Sequence, residues 1–108
     1  MGHVDWDRLN ELRADIGEED FADVAMLFVA ELQETLDALG PDKATTADFH
    51  FLRGSAANLG FVTLVSACAT AEVACNDSEQ PDVEAVRAAF AAAMSEVAPH
   101  VPELANAA

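Results

Sequence analysis

Apolar positions recur at helical spacing along nearly the whole chain, and the breaks between periodic stretches fall at glycines, prolines or polar clusters. The first stretch places Trp6, Leu9, Leu12 and Ile16 on one stripe, with Asp5 or Asp7 available as the N-cap and Gly17 as the stop, which predicts a short helix. From Glu18 to Leu39 the stripe is Phe21, Val24, Ala25, Phe28, Leu32, Leu36 and Leu39, ended by Gly40-Pro41. A third helix starts at Thr45 or Thr46 and runs to Leu59, where Gly60 supplies the left-handed residue that closes it. Thr63 to about Cys75 makes a fourth, with Leu64, Cys68, Ala71 and Cys75 inward. Residues 76–82 are polar, contain Pro81 and predict a loop. Val83 to Val97 forms the last helix through Val83, Val86, Phe90, Met94 and Val97. Pro99 and Pro102 then end regular helix, leaving a tail expected to fray from about residue 99.

Four long amphipathic helices joined by short connections predict an all-α fold, an antiparallel up-and-down four-helix bundle with the short N-terminal helix over one end. Composition agrees, since the chain is 52% apolar and has no tyrosine and few glycines or prolines. Its 108 residues suit one domain, 1–108, large enough to bury a core without disulfides or metal.

Charge narrows the partners. A formal net charge of −15 repels phosphate backbones and anionic membrane surfaces, which excludes nucleic acid and lipid headgroups. No apolar segment approaches the roughly 20 residues of a membrane span, and the start, Met-Gly-His-Val-Asp, lacks the apolar run of a signal peptide. A cytoplasmic location is therefore expected. Cys68 and Cys75 would lie two turns apart on one helix, too far to bridge, and are expected to be buried free thiols in a reducing compartment.

The third helix carries the candidate chemistry. At roughly 100° per residue, Phe49, Phe51, Leu52, Ala56 and Leu59 crowd one side, while His50, Arg53, Gly54 and Ala57 share the other. A histidine aimed away from the core is a candidate nucleophile, because its side chain alone titrates close to neutrality without perturbation. A phosphoryl group on that ring would add negative charge to an acidic protein, and Arg53, one turn along, is the cation placed to offset it. Gly54 costs about 1 kcal/mol relative to alanine inside a helix. Its missing side chain clears an approach to the ring, and Ala57 continues the low relief.

The run His50-Phe51-Leu52-Arg53-Gly54-Ser55-Ala56-Ala57-Asn58-Leu59-Gly60 resembles the signature of histidine-containing phosphotransfer (HPt) domains, approximately H-x-L-K-G-S-[SA]-x-x-L-G followed by a Leu and a Glu in the next helix. Here His50, Leu52, Gly54, Ser55, Ala56, Leu59 and Gly60 fit, with Leu64 and Glu72 downstream. Two residues depart from the pattern. Arg53 replaces the usual Lys, keeping the charge and adding a planar fork. Phe61 stands where a small residue is common, and either fills core or reshapes the rim of a partner site.

The resemblance implies that His50 exchanges a phosphoryl group with the aspartate of a response-regulator receiver domain, through the ring nitrogen remote from the backbone, Nε2. It implies receiver domains and a hybrid histidine kinase as partners of a monomeric carrier, with Mg²⁺ and the acidic residues supplied by the receiver and no cofactor bound by this chain. A kinase activity is not expected, because the sequence has no Gly-rich nucleotide loop or Walker motif.

Ala22, Met26 and Val29 form a second apolar stripe on the Glu18–Leu39 helix. It either packs beneath the first helix or joins Phe61 as a docking patch beside His50. Lys43 is read as a solubilising loop charge. A bundle that binds receivers without carrying phosphate is the main alternative, and the intact histidine argues against it. A metal-binding bundle needs Glu-x-x-His spacing. Glu96 and His100 are four apart with Pro99 between them, so no metal site is predicted, and His3 and His100 are read as exposed tail residues. A hydrolase based on His50 lacks a Ser or Cys nucleophile on the outward face, since Ser55 points toward the bundle.

Overall fold

A computed structural model describes residues 2–40 and 43–105. Every regular element among them is helical: α1 Trp6–Ile16, α2 Glu18–Ala38, α3 Thr46–Leu59, α4 Val62–Asn76, α5 Val83–Val97 and α6 Pro102–Ala105. The boundaries follow local chemistry. Asp5 caps α1 by accepting from the Arg8 N–H at 3.2 Å, and Gly17, at φ 97°, turns the chain directly into α2. Thr45 and Asp48 close a capping box at the start of α3. At its end Gly60 takes φ 74° and returns its N–H to the Ala56 and Ala57 carbonyls.

Gly60 is required for a second reason. A Cβ there would lie 2.6 Å from the Asp5 carbonyl oxygen, and the Asp5 N–H donates to the Gly60 carbonyl at 2.6 Å. The N-terminal segment is thereby tied to the end of the histidine-bearing helix. Its other tie is Glu96 of α5, whose carboxylate accepts from the His3 N–H at 2.6 Å and the Trp6 indole N–H at 3.0 Å. The His3 N–H, more than any other contact, holds that carboxyl below the usual carboxylate range. The two histidines expected in exposed tails are accordingly engaged. His3 Nδ1 lies 2.9 Å from Thr63 Oγ1, and the solvent-exposed His100 ring packs edge-on to Trp6 at 5.0 Å.

The core runs the length of the molecule through Leu9, Phe21, Leu32, Phe49, Leu52, Leu64, Val86 and Phe90. Helix α3 packs most extensively on α4, α4 on α5, and α2 on α3, while α1 contacts both α2 and α3. Arg87 of α5 donates to the Leu36 and Leu39 carbonyls at 2.9 and 2.7 Å, satisfying the C-terminal carbonyls of α2. The tail departs from expectation. Instead of fraying from residue 99, the chain turns into α6, which packs on α2 and α5 with Val101 and Leu104 buried. Pro102 sits in the first turn of α6, where its missing N–H costs nothing. Pro41 and residues 106–108 lie outside the described residues.

Candidate functional site

Helix α3 is anchored by Phe49, Leu52, Ala56 and Leu59, all fully buried, with Ser55 beside them at 7% exposure. About 80° or more around the helix from this face, the His50 side chain is 71% exposed, and Gly54 and Ala57 meet solvent. Beyond its chain neighbours and its own helix backbone, a Cβ on Gly54 would meet no atom of the described residues within 4 Å, so the surface beside the ring is open. Phe51 does not join the core as the helical wheel suggested. It is 44% exposed on the α2 flank of α3, lining a shallow groove with Glu31, Thr35, Ala38 and Asp48. The apolar arc of α3 is narrower than hydropathy implies, because α2 and α4 together cover only the side opposite His50.

The charge beside the histidine is a trio. Glu72, reaching from α4 with 16% of its side chain exposed, accepts from Arg53 Nε at 3.0 Å through Oε2 and lies 3.4 Å from Arg53 Nη2 through Oε1. The same Oε1 stands 3.4 Å from His50 Nδ1, and Arg53 Nη2 stands 3.0 Å from that nitrogen. The ring is thus held through Nδ1, the nitrogen nearer the backbone, and its contacts among the described residues leave Nε2 unengaged. Arg53 is where the helical spacing put it. From sequence alone Glu72 matches a position of the family pattern and is not among the site residues. Its signal was a lone carboxylate on the mostly apolar Val62–Asn76 helix.

Two of the proposed docking residues are corrected. Val29 and Phe61 are both fully buried. The centre of the buried face of α2 is Ala25, Val29, Leu32 and Leu36, with Val24 and Phe28 only half-buried, so the helix is rolled relative to the predicted stripe. Phe61 fills core at the start of α4. Ala22 is half-buried and Met26 is 38% exposed. Helical periodicity continues their stripe through Gln33 and Asp37, which line a groove with Phe90 and Met94 of α5, not the groove of Phe51. The large apolar side chains exposed next to the trio are Phe51, adjacent in sequence to His50, and Val73, adjacent to Glu72, at 44% and 58%.

Beneath the trio, Cys68 is buried one turn from Glu72, and burial above all, then the Glu72 carboxylate, pushes its thiol up to about 12. It is a core group, while Cys75 is only half-buried. Among the described residues no cluster of three or more His, Cys, Asp or Glu is placed to hold a metal ion. Nor is any described helix long and apolar enough to cross a membrane.

His50 thus stands on an open helix surface with the Arg53–Glu72 ion pair against its Nδ1. The Hpt domain family matches residues 7–100, and the chain belongs to that family. Hpt domains serve histidine phosphotransfer in two-component signalling as carriers rather than kinases, and they interact with receiver domains and histidine kinases. No curated protein and no solved structure matches the chain.

Proposed function

We propose that this chain is a monomeric, cytoplasmic phosphoryl carrier of a multistep phosphorelay, built as an antiparallel four-helix bundle of α2 to α5 with α1 across one end, and that His50 is its phosphoacceptor. The exposure of His50, with Gly54 and Ala57 leaving the approach clear, is the observation that carries this reading. Nε2 of a neutral ring attacks the phosphorus of a receiver's aspartyl phosphate. An N–P bond forms, the P–O bond to the aspartate breaks, and the aspartate leaves as a carboxylate. The ring becomes an imidazolium that keeps its proton on Nδ1, where Glu72 stands to balance it. Arg53 offsets the phosphoryl charge. The receiver supplies Mg²⁺ and its own acidic residues, and this chain supplies position and a nucleophile.

Docking falls to the apolar surface beside the trio, Phe51 and Val73, together with Leu27, which is 58% exposed and which helical spacing puts on the Phe51 side of α2. A shuttle must release each partner, so a contact of modest area with an acidic rim is suited to the task. The test is incubation with a phosphorylated receiver domain, following acid-labile, alkali-stable phosphate on the wild type and on His50→Gln. Label is expected on the wild type alone. Label on the variant would refute His50 as acceptor, and receiver binding without label on either protein would favour a non-phosphorylated interaction module.

A further inference from the structure

The inner nitrogen of His50 faces two groups with opposite demands. Arg53 Nη2, 3.0 Å from Nδ1, can only donate a hydrogen bond, whereas Glu72 Oε1, 3.4 Å from the same nitrogen, can only accept one. A neutral imidazole carries a single N–H, so Nδ1 can satisfy one of them at a time. The shorter contact is with the arginine, at the usual length of an N–H to nitrogen or oxygen hydrogen bond, and the carboxylate contact is longer than that range. With Arg53 donating, the lone pair of the ring is on Nδ1 and the proton is on Nε2. The nitrogen that faces the partner then has no lone pair with which to attack.

We propose that Arg53 is a positioning residue that selects the tautomer of His50, holding the resting ring in the Nε2–H form and releasing the nucleophilic Nδ1–H form when the guanidinium is drawn off by an incoming phosphoryl group. This rests on His50 being the phosphoacceptor. The dianionic phosphoryl group is a stronger partner for a guanidinium than a neutral ring nitrogen. As Arg53 turns to it, solvent removes the proton from Nε2 and returns one to Nδ1, with no net change in charge. The Nδ1–H then donates to Glu72, and Nε2 gains its lone pair. After transfer, phosphorus occupies Nε2 and the proton is confined to Nδ1. Arg53 cannot return there, because two donors would face each other, and it stays with the phosphoryl group. Lysine, the commoner residue of the family pattern, has a point ammonium in place of the fork that here spans Glu72 through Nε and His50 through Nη2.

The tautomer is read directly from two-bond ¹H–¹⁵N correlations of the imidazole in the unphosphorylated, full chain, at a pH where the ring is neutral. The wild type is expected to show His50 mainly as Nε2–H. Arg53→Met, which keeps the aliphatic stem and loses every donor, should move the ratio toward Nδ1–H by roughly tenfold, the scale of one hydrogen bond from a charged donor. Glu72→Gln should leave the ring in the Nε2–H form. An Nδ1–H wild type, or an unchanged ratio in Arg53→Met, overturns the proposal. These spectra require no phosphate, so a failure of His50 to take label in the transfer assay is a separate result that would strike the carrier reading alone.

Discussion

The inward face of α3, where Phe49, Leu52, Ala56 and Leu59 are fully buried, and the outward face, where His50, Gly54 and Ala57 meet solvent, belong to the same 14 residues and answer to different constraints. Inward, each methylene is surrounded, and losing one leaves a cavity that dense neighbours cannot fill. Outward, there is no packing to lose, and the side chains are chosen for access and charge. The lesson is that the fold and the proposed chemistry draw on separate residues one helical half-turn apart. Stability and transfer should therefore come apart under mutation.

The largest expected effect on that comparison is inward. Leu52→Ala should cost about 2–5 kcal/mol in urea unfolding. If it were neutral, the two faces would not differ in the way described. Next is Gly60→Ala, at the end of the same helix. Its φ of 74° and the 2.6 Å approach of the Asp5 carbonyl to the new Cβ require the N-terminal segment to shift. A loss of about 1–3 kcal/mol is expected, measured the same way. An alanine tolerated without cost would mean that the tie between Asp5 and Gly60 contributes nothing. Smallest in energy but sharpest in sense is Gly54→Ala. Beyond its chain neighbours and its own helix backbone, the added methyl meets nothing among the described residues within 4 Å, so the helix should gain about 0.5–1 kcal/mol while phosphoryl transfer slows. A stabilised variant with undiminished transfer would show that the clearance beside His50 serves no partner.

Periodicity and its punctuation make five of the six helices legible, because the breaks fall at residues with a mechanical reason to stop or start a helix: Gly17, Thr45, Gly60 and the polar loop that contains Pro81. The exposure of His50 was legible for the same reason. What was missed needed tertiary knowledge. Helix α6 is too short to display a period, and its worth lies in Val101 and Leu104 finding the gap between α2 and α5. A single apolar stripe does not reveal the roll of a helix against its neighbours, and it is that roll which buries Val29, of the two places open to it, and exposes Phe51, expected in the core. Glu72 could be matched to a pattern, but that it shares His50 Nδ1 with Arg53 depends on how α4 lies against α3.

The central claim is that one outward nitrogen of α3 carries the phosphoryl group while the rest of the helix carries the fold. Its most direct test is a ¹H–³¹P correlation spectrum of the chain phosphorylated by a receiver domain, recorded beside thermal melts of the wild type and His50→Gln. The phosphorus should couple to ring protons of His50 in the pattern of Nε2 substitution, and the two melting temperatures should agree within the scatter of a surface substitution. Phosphorus on any other side chain, or a His50→Gln variant that unfolds, would contradict it.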